Sequence, residues 1–133
     1  MAVDYYLSDL IGLGPTPNMG RGVFALADLP AGLLLETSPV IVMTKAHQEL
    51  IDQTPLHDYI FLWGPDETRC AMALGYVSLY NHAPQSNCDY LMDFEQQTIS
   101  IITVKDIKEG EELFINYNGD SDDDRPVWFP LSP

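Results

Sequence analysis

Residues 80–90, YNHAPQSNCDY, set two primary amides and an imidazole directly behind the apolar run ALGYVSLY. Amides at the end of a buried segment must find hydrogen-bond partners, because leaving one unpaired costs about 1–3 kcal/mol. Asn81, His82 and Asn87 therefore serve either the backbone of their own loop or a bound molecule. Three further groups stand out by type and spacing: Gly20-Arg21-Gly22 near the start, Gly110-Glu111-Glu112-Leu113 near the end, and Tyr117 four residues after Leu113.

Context narrows the chemistry. Gly20-Arg21-Gly22-Val23-Phe24-Ala25 fits the G-x-G-x-x-A form of a dinucleotide fingerprint, a motif that needs a strand before it and a helix after it. Here a proline-broken loop, GPTPNM, precedes it and VFALADLPAG, a strand and turn, follows. A nicotinamide-dependent oxidoreductase has nothing else to rest on. Asp120-Ser121-Asp122-Asp123-Asp124 alternates oxygens as a calcium loop does, but Arg125 stands where glycine is needed and Leu131 where a bidentate glutamate is needed. That run reads as a solvated tail. His47, His57 and His82 lack the i, i+4 spacing of helical metal ligands, and Cys70 and Cys88 form no Cys-x-x-Cys pair, so no metal is expected and both thiols read as reduced. No Ser-His-Asp or Cys-His signature stands out, although such triads are assembled in space.

The elements that position these residues are mostly strands. GVFALA, LLLETSPVIVM, CDYLMDF, TISIITV and LFINY are short, rich in β-branched and aromatic residues, and bounded by turn formers. Two segments read as helical: KAHQELIDQ, with Thr44 as its cap, and the stretch around AMALGYVSLY. An internal echo links the two ends, since Asp28-Leu29-Pro30-Ala31-Gly32 leads into LLLE as Asp106-Ile107-Lys108-Glu109-Gly110 leads into EELFINY. In each, a glycine able to take positive φ starts the next strand.

With 133 residues, the chain has the size of one domain. Twenty acids against six bases give a net charge of −14, which repels nucleic acid and anionic membranes and favours a basic partner, though acidity also simply keeps a domain soluble. The N-terminus has no basic region and no apolar run reaches membrane-spanning length, so the expected address is cytoplasmic. A viral or secreted effector would instead reach a host nucleus.

Taken in order, G-R-G-V-F-A, A-G-x-x-L-E, N-H-x-x-x-x-N and G-E-E-L-x-x-x-Y resemble the SET-domain family of protein-lysine methyltransferases, from about Met19 to Trp128. The likeness is to compact viral and bacterial members. It implies a mostly β fold of small sheets with short helices and a C-terminal knot-like crossing, as a single domain over 1–133 with a core of about 19–118 and a tail, 119–133, over the channel.

The resemblance also implies chemistry. S-adenosylmethionine would be the cofactor, and S-adenosylhomocysteine its product. Gly20, Arg21, Gly22, Asn81 and His82 would bind it, with Trp128 of the aromatic tail laid over its edge. Tyr117 would be the catalytic tyrosine, Tyr90 and Tyr59 would line the lysine channel, and Asn87 would tie down its turn, while Glu111 and Glu112 read as turn acids. The substrate would be a basic protein or tail, histone-like or ribosomal, acted on by a monomer or homodimer. The sequence departs from the pattern at Ala83, Pro84 and Ser86, where the family carries serine, cysteine and proline, and lacks its C-terminal zinc-binding cysteines. These departures keep a second reading in play, a SET-derived module that binds basic peptides without turnover.

Overall fold

The computed structural model describes residues 4–116; the expectations for Tyr117, Trp128 and the 119–133 tail lie outside the described residues. In chain order the strands are β1 (Tyr6–Leu7), β2 (Ile11–Pro15), β3 (Arg21–Ala25), β4 (Leu34–Met43), β5 (Ile60–Trp63), β6 (Arg69–Ala73), β7 (Asn81–His82), β8 (Cys88–Asp93), β9 (Thr98–Thr103) and β10 (Glu112–Ile115). Between β4 and β5 lie helix α1 (Lys45–Ile51) and a 3-10 turn, Pro55–Tyr59; a second 3-10 turn, Val77–Leu79, precedes β7. One sheet runs β5-β6-β4-β9-β8 with β1 also on β4, and the other runs β2-β3-β10-β7. The ten-residue β4 is shared lengthwise: Leu34 to Pro39 pair with β9, and Val40 to Met43 pair with β6.

The two echoed turns interlock. Leu29 and Ile107 exchange both backbone hydrogen bonds, at 2.7 and 2.8 Å. Asp28 accepts the Glu109 N–H at 2.9 Å while Asp106 accepts that of Ala31 at 3.0 Å. Gly32 and Gly110, at φ 81° and 89°, return their N–H groups to Thr103 and Ala25, each the last residue of the strand that enters the opposite turn. Each turn carries the chain from one sheet into the other, β3 to β4 and β9 to β10, so this pseudo-symmetric clasp sets how the sheets meet. Leu29 and Ile107 then bury their side chains in a core with Val23, Leu35, Ile101 and Leu113.

Thr44 caps α1 as the sequence predicts, its hydroxyl accepting the His47 N–H. The helix predicted around AMALGYVSLY does not form. Cys70 and Ala71 are fully buried in β6, which is hydrogen-bonded on both sides, and Gly75 at φ 62° ends any continuation before the Val77–Leu79 turn. A central strand covered on both faces loses the alternation that marks strands in sequence.

Gly75 also admits a polar knot in the core. Glu36, with no exposed surface, accepts from Ser38 Oγ at 2.8 Å, Tyr76 N at 3.0 Å and Tyr80 Oη at 2.7 Å. A Cβ on residue 75 would run into both Ser38 and Glu36. Burial raises the Glu36 pKa, and the bonds from Tyr80 and Ser38 oppose that shift.

Two outcomes follow for stability. Asp28→Ala and Asp106→Ala should each destabilise the chain by about 1 kcal/mol in urea denaturation, because each frees one backbone N–H of the clasp. A folded-state pKa above the ordinary 4.5 means that the folded chain holds the Glu36 proton more tightly. The resulting stabilisation is full below pH 4.5 and is lost as pH rises through the folded value. Measured against Glu36→Gln, which does not titrate, parent stability should fall across that window and then level off.

Candidate active site

The parallel pair β7–β10 organises the site. Asn81 lies opposite Phe114 and His82 opposite Ile115, and Ala83 N–H continues the ladder to the Ile115 carbonyl at 3.1 Å. Parallel neighbours require a long crossover, which the β8–β9 hairpin and the second clasp turn provide. Along β10, Leu113 and Ile115 enter the core while Glu112 and Phe114 point the other way, so Glu112 faces the adjoining edge of β3.

There the side chains converge. Asn81 Nδ2 donates to Glu112 Oε2 at 2.7 Å and to the Arg21 carbonyl at 3.1 Å. Both N–H groups of the amide are thereby committed, which leaves Oδ1 as the atom Asn81 offers to a ligand. Gly22 makes the convergence possible: a Cβ there would lie 3.0 Å from Asn81 Nδ2 and in collision with the Glu112 carboxylate. Gly20, at φ 74°, turns the chain into β3, and the space where its Cβ would be has no atom within 4 Å. Of the residues singled out in the sequence reading, the fold brings Arg21, Gly22 and Asn81 together, with Gly20 leading into β3, while His82 pairs with core-facing Ile115 and is buried on the other face.

Glu112 is the residue that reading missed, having been grouped with Glu111 as a turn acid. Glu111 does accept the Lys108 N–H within its turn at 3.2 Å, whereas Glu112 orients Asn81. No sequence signal separates the two, because Glu112-Leu113-Phe114-Ile115 alternates in burial but not in polarity, and only the register of β10 puts residue 112 on the face opposite the core. Burial raises the Glu112 pKa against the lowering effect of the Asn81 bond, and burial lowers that of His82.

Asn87 holds the other side of β10, donating to the Glu112 carbonyl at 2.9 Å and accepting the Phe114 N–H at 2.8 Å. It ties strand to turn, in agreement with the sequence reading. The departures at 83–86 are absorbed by the backbone of this loop: Pro84 O accepts from Asn116 Nδ2 at 3.1 Å, and buried Ser86 bonds the Cys88 carbonyl at 2.9 Å.

Tyr90 lies on the inward face of β8 and meets Phe61 of β5 edge to face, ring centroids 5.3 Å apart. Burial, with the Glu67 charge second, pushes its phenol up to about 12. Tyr59 closes the 3-10 turn two residues before Phe61, and its carbonyl accepts from Ser78 Oγ at 2.8 Å. β10 ends at Ile115 and Asn116 is buried, one residue short of Tyr117.

Residues 20–118 match the SET domain family. Over 115 residues the chain is 38% identical to the histone-lysine N-methyltransferase of Schizosaccharomyces pombe described as H3 lysine-37 specific, covering 86% of this chain and 73% of that protein. Among solved structures, a candidate histone methyltransferase of Plasmodium falciparum superposes with a TM-score of 0.62 at 21% identity, over 84% of this chain and 95% of that one. A chain of Chaetomium thermophilum Polycomb Repressive Complex 2, bound to the inhibitor GSK126, gives 0.68 at 23% identity over 80% of this chain and 15% of that one. The structural likenesses carry the fold.

Gly22→Ala should cost about 1–3 kcal/mol of stability, since the added methyl must drive Asn81 and Glu112 apart. Equilibrium urea denaturation checks it, and a variant as stable as the parent contradicts the close approach of β3 to that pair.

Proposed function

The chain belongs to the SET domain family, and we propose from that premise that it transfers a methyl group from S-adenosylmethionine to the amine of a lysine in a basic protein. One observation carries the reading: both N–H groups of Asn81 are held by Glu112 and the Arg21 carbonyl, so the amide presents oxygen. Oxygens of Asn81, Arg21 and Glu112 concentrate negative charge around Gly22. S-adenosylmethionine carries an ammonium and a sulfonium, so the donor set suits it. When bound, the cofactor supplies a methyl carbon activated by the sulfonium charge. Gly20, Arg21, Gly22, Asn81 and His82 are the residues proposed to hold it, with Trp128 covering its edge.

The remaining work is alignment and removal of water. Holding two reactants at near-attack distance contributes about 7–11 kcal/mol in favourable cases, without an acid or base. In this reading the Tyr117 hydroxyl oxygen orients the methyl group through weak C–H contacts. The lysine must arrive neutral, and apolar walls favour that form by stripping water from the ammonium. Tyr90 and Tyr59 are proposed as those walls, with Phe61 backing Tyr90. A Tyr90 pKa of about 12 keeps it an uncharged phenol, so it adds no anion that would hold the lysine protonated. The same aromatic faces attract methylated ammonium by cation–π contact.

The net charge of −14 suits a basic substrate, and the fission-yeast relative, a histone H3 enzyme, makes a histone-like protein the first class to try. Labelled methyl transfer to core histones and ribosomal proteins tests the proposal. The parent should label lysine, with a rate that rises with pH up to the pKa of the bound amine and shows no fall from Tyr90 ionisation below about 12. Tyr117→Phe should reduce the rate by a factor of about 10–100, the range for one lost positioning contact. Calorimetric cofactor binding without transfer to any basic protein would instead identify a binding module.

A further inference from the structure

The outer face of the six-stranded sheet carries a groove lined by residues other than those of the site above. Along β8 the side chains alternate: Tyr90 and Met92 lie over Ile101 and Ile99 of β9 on the inner face, and Leu91 and Asp93 lie over Ser100 and Thr98 on the outer one. Thr37 of β4 joins the outer row, bonded through its hydroxyl to Ser100 at 2.8 Å. With Asp4 and the β8–β9 turn residues Phe94 and Glu95, these strands bound an open groove of about 800 Å³. Its floor is partly apolar, Leu91 being 54% and Phe94 38% exposed beside the hydroxyl residues Thr37, Thr98 and Ser100. Its rim is acidic, with Asp4, Asp93 and Glu95 and no lysine or arginine among the residues that line it.

Charge decides the occupant. A second copy would set acid against acid, and the chain's own terminal run Asp120-Ser121-Asp122-Asp123-Asp124 carries the same sign as the rim. Nucleic acid is repelled for the same reason. A basic segment with an apolar residue between its cations matches both floor and rim. The groove is also close to the proposed channel: Tyr90 projects from the opposite face of the same strand, one residue from Leu91 and three from Asp93. At about 3.3 Å per residue, that separation is only about 10 Å along β8, within the span of one extended substrate.

We propose that this groove docks a basic region of the substrate protein outside the segment that carries the methylated lysine. The identity of the partner rests on the methyltransferase reading above. The two are separated by measuring binding as well as transfer.

The test uses the full chain and a Leu91→Lys/Glu95→Lys variant, both positions being exposed. Anisotropy of a labelled intact core histone reports binding, and methyl transfer is followed on the intact histone and on a short peptide around its acceptor lysine. The Kd and KM for the intact histone should each rise about tenfold, with kcat and the peptide KM unchanged, as expected when a rim charge and an apolar anchor are lost together. Glu49→Lys/Leu50→Lys on the exposed side of α1 makes the same change in net charge and should leave both values at parental level. Weakened histone binding by the groove variant without transfer by the parent would retain the docking surface and overturn the methyltransferase reading. Unchanged Kd and KM in the groove variant, an equal loss in the α1 variant, or no histone binding by the parent would overturn the docking surface.

Discussion

A primary amide has two N–H groups and one oxygen, and the environment of Asn81 uses the first two completely. Glu112 and the Arg21 carbonyl take both hydrogens, at distances that only a glycine at position 22 permits. That arrangement ties β3, β7 and β10 together through one side chain and fixes which atom it can present to a ligand. A carboxylate partner makes the bond to Glu112 charge-assisted, so it holds the amide orientation more firmly than a neutral acceptor would. Rotating the amide would set its oxygen against the Glu112 carboxylate and the Arg21 carbonyl, both acceptors.

The clasp of the two echoed turns is what allows that edge to exist. Because Asp28 and Asp106 each satisfy a backbone N–H in the other turn, β3, which enters the clasp, and β10, which leaves it, are antiparallel neighbours in a fixed register. Glu112 then falls opposite Phe24 and beside Gly22, while Asn87 grips β10 from its other side through both its amide atoms. Two asparagines six residues apart thus have different work. One locks strand to loop, and the other leaves its oxygen without a hydrogen bond among the described residues.

Much of this was legible in the sequence because it depends on local chemistry. The turn glycines announced positive φ, and the Thr44 cap was visible from its place before a run of helix formers. The doubly covered β6 was not legible, since a strand buried on both faces shows no alternation and Ala71-Met72-Ala73-Leu74 are all good helix formers. The separate tasks of Glu111 and Glu112 were hidden for another reason. Both are acids in a turn, and only the register of β10 against β3 and β7 shows that residue 112 faces an asparagine 31 positions away. Long-range pairing of this kind leaves no trace in composition.

A crystal structure of the chain with S-adenosylhomocysteine bound tests the central claim most directly. The account predicts the ligand's amino group within hydrogen-bonding distance of Asn81 Oδ1, with Nδ2 still on Glu112 and the Arg21 carbonyl. A ligand bound elsewhere, or an Asn81 amide turned so that its nitrogen faces the ligand, would contradict it.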